Sequence, residues 1–421
     1  MMFSRLATLL AFWLALAGTT MGQETTADTL RQHLYDGRLA DGRAAMEALA
    51  EDDATAAFGL GVFTLLEGVE ELAQALYVHG FNPQGGILVS PFFGMPAEEQ
   101  QETREIEPLT YAALRGYLEA FSADMDTAMP LLEVAGAGDF AVEIDVSKIR
   151  IDIDGDGAAS EAESVGAFWA MAAGMGQQLD MGTGVAPDTE LPETVFAFDG
   201  SDAVWLAGYS QVLASQSDFL LAHDFETFFN TALHRLFPGA GLPMESRQSE
   251  GALFMDRDTD ALLADAIAMI HTINWPITER ERLLAVQERA LRVLDLSRRN
   301  WDLILAETDD NREFVPSPYQ TPLIADMAIN KAMVEAWLET LDVTEAIVRG
   351  ELLLPHWRYP GLGFDLSAWV ENAERTDFVL LFTGFDALPY LQEGEIADAE
   401  SFAAANRVFG GSIWNYALWF N

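Results

Sequence analysis

The stretch MAINKAMVEAWLETLDVTEAIVRG, residues 327–350, sets the fold class. Met327, Val334, Leu341 and Val348 recur every seven residues and Leu338 fills the same face, the spacing of an apolar stripe along one side of a helix. Gly350 stands where a left-handed residue would end that helix. The same periodicity predicts helices over residues 40–51, 54–79, 109–134, 160–175, 201–222, 226–236, 258–273, 278–306 and 325–349. Two or more further helices are expected between Leu366 and the C-terminus, where Ile413, Trp414, Tyr416, Leu418, Trp419 and Phe420 read as a docking segment. The expected fold is therefore mainly α, a multi-helix globular body.

Composition narrows the function classes. With 421 residues, half of them apolar, the chain can bury a large core, and disorder through composition is excluded. It carries 67 acidic against 23 basic side chains, a net charge of −44, so a polyanion such as nucleic acid is excluded as a partner. The absence of cysteine removes disulfides, thiolate metal sites and a cysteine nucleophile. Arg5 followed by the apolar run Leu6 to Ala17 and the small residues to Gly22 reads as a signal peptide over residues 1–22, with an uncleaved anchor as the alternative. Residues 23–421 are then a mostly helical body, read as one large domain that is periplasmic or secreted. The apolar run Ala54 to Leu66 is too short to span a membrane and ends in Glu67, so no membrane span is expected after signal cleavage.

Two stretches break the helical pattern. Phe140, Val142, Ile144 and Val146 alternate, and Ile149, Ile151 and Ile153 alternate on the opposite parity, so the register slips near Ser147 and Lys148. Thr194 to Phe198 is a second strand candidate, able to pair with the first as a small sheet. The other irregular stretch, Gly80 to Pro108, holds four prolines with Phe81, Phe92 and Phe93 and reads as a segment packed down by its own phenylalanines.

Directly after the slipped strand comes Asp152, Ile153, Asp154, Gly155, Asp156, Gly157, Ala158, Ala159, Ser160, Glu161, Ala162, Glu163, a D-x-D-x-D-G-x₅-E pattern. Ca²⁺ takes about seven oxygens at roughly 2.3–2.6 Å, and a tightly turning backbone brings alternate side chains inward to supply them. On this spacing Asp152, Asp154 and Asp156 each offer a carboxylate oxygen, Ala158 its carbonyl, Ser160 a hydroxyl or a water, and Glu163 both carboxylate oxygens. The residues resemble the EF-hand loop, which implies oxygen-only Ca²⁺ binding. Two departures stand out: the preceding isoleucines indicate a strand–loop–helix variant, and Ala159 occupies the eighth position, where paired hands carry a branched apolar residue. The competing reading is an acidic turn that caps the helix near Ser160. Asp256, Asp258 and Asp260 also alternate, but Ala261 replaces the turning glycine, and these acids read as a helix cap.

No zinc, nucleotide or hydrolase motif is present among the six histidines and the glycines. His223 reads as a histidine meeting the carbonyls of a helix end. His356, Trp357, Arg358 and Tyr359 read as a Trp–Arg knot packed at a seam. Arg280, Arg282, Arg289, Arg292, Arg298 and Arg299 make one helix basic, with Glu288–Arg292 and Asp295–Arg299 as local pairs and the remainder facing acids of the fold. Asp199, which would cap the next helix, could approach the calcium loop if the small sheet forms. The segments FDGSDAVWLAGY from Phe198 and LLLPHWRY from Leu352 are similar to a family of uncharacterised secreted bacterial proteins with one calcium loop, which implies export and one ion but no activity. The expectation is an exported, non-catalytic binding or structural protein whose cofactor is Ca²⁺ and whose protein or small-molecule partner is unknown. A glycan-directed hydrolase and a helix-repeat scaffold, suggested by a tetratricopeptide-like texture over Ala40 to Tyr77, are the rivals.

Overall fold

The computed structural model describes residues 25–82, 105–170, 193–245, 255, 257–323, 328–411, 413, 417 and 420. The expected signal peptide, residues 83–104 of the proline-rich stretch, Asp256, Met327, and Trp414, Tyr416, Leu418 and Trp419 of the tail lie outside them. The expected mainly α fold is the one that forms, with short antiparallel strands as the only sheet among the described residues.

The chain opens with α1 (Thr26–Asp36), α2 (Leu39–Glu47) and α3 (Ala54–Tyr77), and then α4 (Tyr111–Ala135). Periodicity missed α1, an 11-residue helix whose start is set by a Thr25–Asp28 capping box. β1 (Val142–Asp145) and β2 (Val195–Phe198) form the small sheet, antiparallel, with Val142 opposite Phe198 and Asp145 opposite Val195. Next come α5 (Gly200–Leu221), α6 (Glu226–Ala232) and α7 (Arg257–Thr272), then β3 (Asn274–Pro276), α8 (Arg280–Ala306) and α9 (Lys331–Val348). The last part holds β4 (Leu354–Pro355), β5 (Gly363–Phe364), α10 (Leu366–Asn372), β6 (Arg375–Asp377), α11 (Phe378–Thr383), β7 (Leu391–Gln392) and α12 (Ala399–Val408). α9 starts later than its heptad pattern suggests, because the Asn330 side chain accepts the Met333 amide at 3.1 Å and caps it there. Gly350 is left-handed, with φ of +74°, as its position at the helix end requires.

Packing runs in sequence: α3 on α4, α4 on α5, α5 on α8, α8 on α9 and α9 on α12. A first core joins α1 to α5 and both strands of the β1–β2 pair through Leu30, Phe58, Phe63, Met125, Phe196 and Phe198. A second gathers around Trp275, where Phe225, Phe228 and Phe378 meet it edge-on or tilted. Phe81 lies against Phe237 at 5.3 Å, so the start of the proline-rich stretch is packed down as expected. A third core joins α8, α9 and the chain end through Trp301, Trp337, Ile413 and Phe420, so the tail does dock.

The basic helix α8 is answered from within, though not by the expected i, i+4 partners. Asp218 on α5, almost fully buried, takes Arg282 Nη1 at 2.8 Å on one oxygen and Arg289 Nε at 2.9 Å on the other. Arg289 also pairs with Asp126, and Arg292 and Arg299 both reach Glu133 of α4. Pairing across helices wins because α8 lies in the middle of the stack, where a guanidinium buried without a carboxylate would carry a desolvation cost.

Candidate metal centre

The loop after β1 starts from a change of register. The chain leaves β1 through a 3₁₀ turn, Val146–Lys148, which is where the isoleucine parity flips. Ile149, Ile151 and Ile153 do not continue as the regular strand expected from their alternation. Instead the two ends of the loop close on each other: the Val165 amide donates to Ile149 O at 2.9 Å and the Ile151 amide to Glu163 O at 3.2 Å, with Arg150 bridged to Ser164. The exit is a 3₁₀ turn over Glu161–Glu163, and the helix begins at Val165 rather than Ser160.

Inside the loop the backbone wraps around its own carboxylates. Asp152 Oδ1 accepts the Gly155 amide and Oδ2 the Gly157 amide, both at 2.9 Å. Asp154 Oδ1 accepts the Asp156 amide at 3.0 Å and Asp156 Oδ1 the Ala158 amide at 2.8 Å, using one oxygen of each. These turns need positive φ at Gly155 (+73°) and Gly157 (+89°), which glycine adopts without steric cost. The result brings one oxygen of each of Asp152, Asp154 and Asp156 within 4.8 Å of the others.

Glu163 lies across the loop mouth. Its Oε1 accepts the Ile153 amide at 2.8 Å and the Asp154 amide at 3.3 Å, and its Oε2 the Ser160 amide at 2.7 Å. It thus reaches the backbone beside Asp154 and closes a capping box with Ser160, while the oxygens that gather within 4.8 Å are those of the three aspartates. Burial pushes its carboxyl up, but the bonds from Ser160, Ile153 and Asp154 outweigh this and hold it below the ordinary glutamate value. Asp154 moves the other way, raised first by burial and then by the charges of Glu163, Asp156 and Asp152. Among the described residues no arginine or lysine pairs with any of these four acids.

Two residues on α3 hold the loop, and nothing in their spacing announced them. Glu70 Oε1 accepts the Asp152 amide at 2.9 Å, and Gln74 Nε2 donates to Asp152 O at 2.7 Å. Burial raises the Glu70 carboxyl, and the neighbouring charge of Asp152 adds to it. Ala159 is buried against the end of α1, where Gly37 has φ of +63° and any β-carbon would collide with Ala159 Cβ. The small eighth residue is therefore matched to a helix end of the same chain. A branched residue has no room there. The groups that could serve as donors here are all oxygens, a set that fits a hard cation such as Ca²⁺.

The remaining candidates fall elsewhere. Asp199 does not approach the loop: it comes after Phe198, which pairs with Val142, whereas the loop leaves from the other end of the hairpin beyond Asp145. Asp260 accepts the Met255 amide at 3.1 Å, a contact at the start of α7. The His356–Tyr359 knot is not at a seam, since Trp357 is 66 % exposed; Arg358 stacks on its ring at 3.9 Å and donates from Nε to Thr383 O.

His223 is fully buried at the end of α5. Nδ1–H donates to Phe219 O at 2.6 Å, so in the neutral ring Nε2 accepts from Thr376 Oγ1 at 2.7 Å. Burial holds its pKa below the ordinary 6.5, so the unfolded chain binds more protons and stability falls as pH drops below about 6.5. The expected slope from this group is up to about 1.4 kcal/mol per pH unit. Urea unfolding of wild type and His223→Gln at pH 7.5 and 5.5 checks it: the variant should lose less between the two. An equal loss would assign the pH dependence to other groups.

No protein-family model matches the chain, and neither the curated proteins nor the solved structures compared with it include a match.

Proposed function

We propose that the chain is an exported, non-catalytic binding or structural protein that holds one Ca²⁺ in the loop from Asp152 to Glu163. The observation that carries this reading is the convergence of three aspartate oxygens within 4.8 Å, in a glycine-turned loop without a basic partner among the described residues. Asp152, Asp154 and Asp156 would each give a carboxylate oxygen, Ala158 its carbonyl, Ser160 its hydroxyl or a water, and Glu163 its carboxylate. Three carboxylates crowded together repel one another, and a divalent ion turns that repulsion into attraction. The surroundings favour a structural role. The loop is tied to α3 by Glu70 and Gln74 and rests on α1 through Ala159, so an ion there would clip two helices and the sheet together.

Export is supported by the leader reading of Arg5 and the apolar run Leu6 to Ala17; no described helix is long and apolar enough to cross a membrane. The direct test is binding of radioactive Ca²⁺ to the purified protein and to Asp154→Asn, which keeps the Oδ1 acceptor for the Asp156 amide. The variant is expected to bind the loop ion at least tenfold more weakly. Unchanged affinity would remove the loop from the site.

A further inference from the structure

We propose that the aromatic knob formed by Trp357, Tyr359, Phe382 and Phe385 docks on a zwitterionic phospholipid bilayer, independently of the loop at 152–163. α11 ends at Gly384, a left-handed cap with φ of +87°, and the turn that follows carries Phe385. Phe382 is 87 % exposed and Phe385 63 %, although neither ring has a polar atom that gains from water. The turn from His356 to Tyr359 lies against the same helix end. A β-carbon at Gly384 would come within 2.7 Å of His356 Nε2 and 3.5 Å of Trp357 Nε1, so the missing side chain lets the two segments meet. Arg358 Nε donates at 3.0 Å to Thr383 O, between the two phenylalanines. The exposed rings therefore form one patch held by the fold, unlike apolar residues scattered singly on a surface.

The chemistry of the patch selects its partner. A ring as exposed as Phe382 projects from the surface, so a protein partner would have to bring a matching cavity, whereas fluid acyl chains close around any shape. A sugar would need a free aromatic face with hydrogen-bonding groups beside it, but Arg358 covers a face of Trp357 at 3.9 Å and phenylalanine has no polar atom. Apolar phenylalanines at the tip, with Trp357 and Tyr359 each carrying one polar group beside them, match the aromatic layering at a bilayer's headgroup level. Arg358 supplies the headgroup contact. Among the described residues no carboxylate pairs with it and neither Nη group has a partner; Asp386, two residues past Gly384, goes to Arg375. In a chain of 67 acids and 23 bases, such a cation beside exposed rings complements a phosphate, which the guanidinium fork binds with two hydrogen bonds. The net charge of −44 repels an anionic surface, which selects lipids without net charge.

Cosedimentation with phosphatidylcholine vesicles tests this. Wild type is expected to partition to the vesicles, Arg358→Gln severalfold more weakly, and the double variant Phe382→Ser with Phe385→Ser at least tenfold more weakly, since both rings lose their acyl contact. Should the double variant fail to fold, a measurement on the wild type decides: brominated phosphatidylcholine is expected to quench its tryptophan emission, and Trp357→Phe to remove most of that quenching. Wild type left in the supernatant, equal partitioning of the double variant, or quenching unchanged in Trp357→Phe would each overturn the proposal. A wild type that ignored vesicles but formed a dimer abolished in the double variant would overturn it too, and would make the patch an interface between two copies of the chain.

Discussion

Adding Ca²⁺ to the chelator-stripped protein is expected to raise its melting temperature by about 3–8 °C. An ion that binds only the native state at a hundredfold excess over its Kd contributes about 2.7 kcal/mol, and each kcal/mol moves the midpoint of a large domain by a few degrees. Mg²⁺ should give a smaller increment, because it demands six close ligands and gives up its waters reluctantly. Glu163→Gln separates ion binding from capping. Its remaining Oε1 can still accept backbone amides, so the chelated variant should lie within about 1 kcal/mol of the chelated wild type. The part of the Ca²⁺ increment that the variant lacks belongs to the loop. If Glu163→Gln melted lower than wild type by the same amount with Ca²⁺ and with chelator, Glu163 would be a cap alone. Identical melting of the wild type with and without Ca²⁺ would end the metal reading.

Phe420→Ala, one residue from the chain end, should destabilise the protein by about 3–5 kcal/mol. Phe420 is fully buried and meets Trp301 edge-on at 4.7 Å and Trp337 at 5.5 Å, with Phe409 at 5.9 Å. Its carbonyl accepts from Ser297 Oγ at 3.0 Å, and Ser297 Oγ in turn accepts from Trp337 Nε1 at 3.0 Å. Truncation would leave a cavity lined by two rigid indoles that cannot collapse into it, which is the condition for a cost at the upper end. Urea unfolding monitored by tryptophan fluorescence measures it, with Phe420→Leu as the variant that fills more of the space and should lose less. A loss below about 1 kcal/mol for the alanine variant would mean that the tail does not close the third core.

Much of the helical body was legible because an apolar stripe repeats within a few residues. α9 and α8 read clearly, since each shows one buried face over several turns. α1 did not, because its 11 residues include only two fully buried leucines, Leu30 and Leu34, and its start rests on a hydrogen-bonded cap rather than on periodicity. The slip between Val146 and Ile149 was visible as a change of parity. That the second half closes as a bridge to Ser164 rather than continuing as a strand was not, because alternation says which way side chains point and nothing about which backbone takes their hydrogen bonds.

The helix-rich class and the acidic, glycine-turned loop could be read from the order of residues alone, since Asp152, Asp154 and Asp156 alternate within five residues and the glycines between and after them turn the backbone. Such features are local, and their geometry arises from neighbouring φ and ψ angles. It took the folded chain to show that Glu70 and Gln74 hold the loop, that Asp218 is shared by Arg282 and Arg289, and that Asp199 joins Glu307 and Glu313 instead of the loop. Those partners stand some 64 to 114 positions apart along the chain. They meet because the packing of long helices fixes where each helix end arrives, a property of the assembled core that no short pattern of residues encodes.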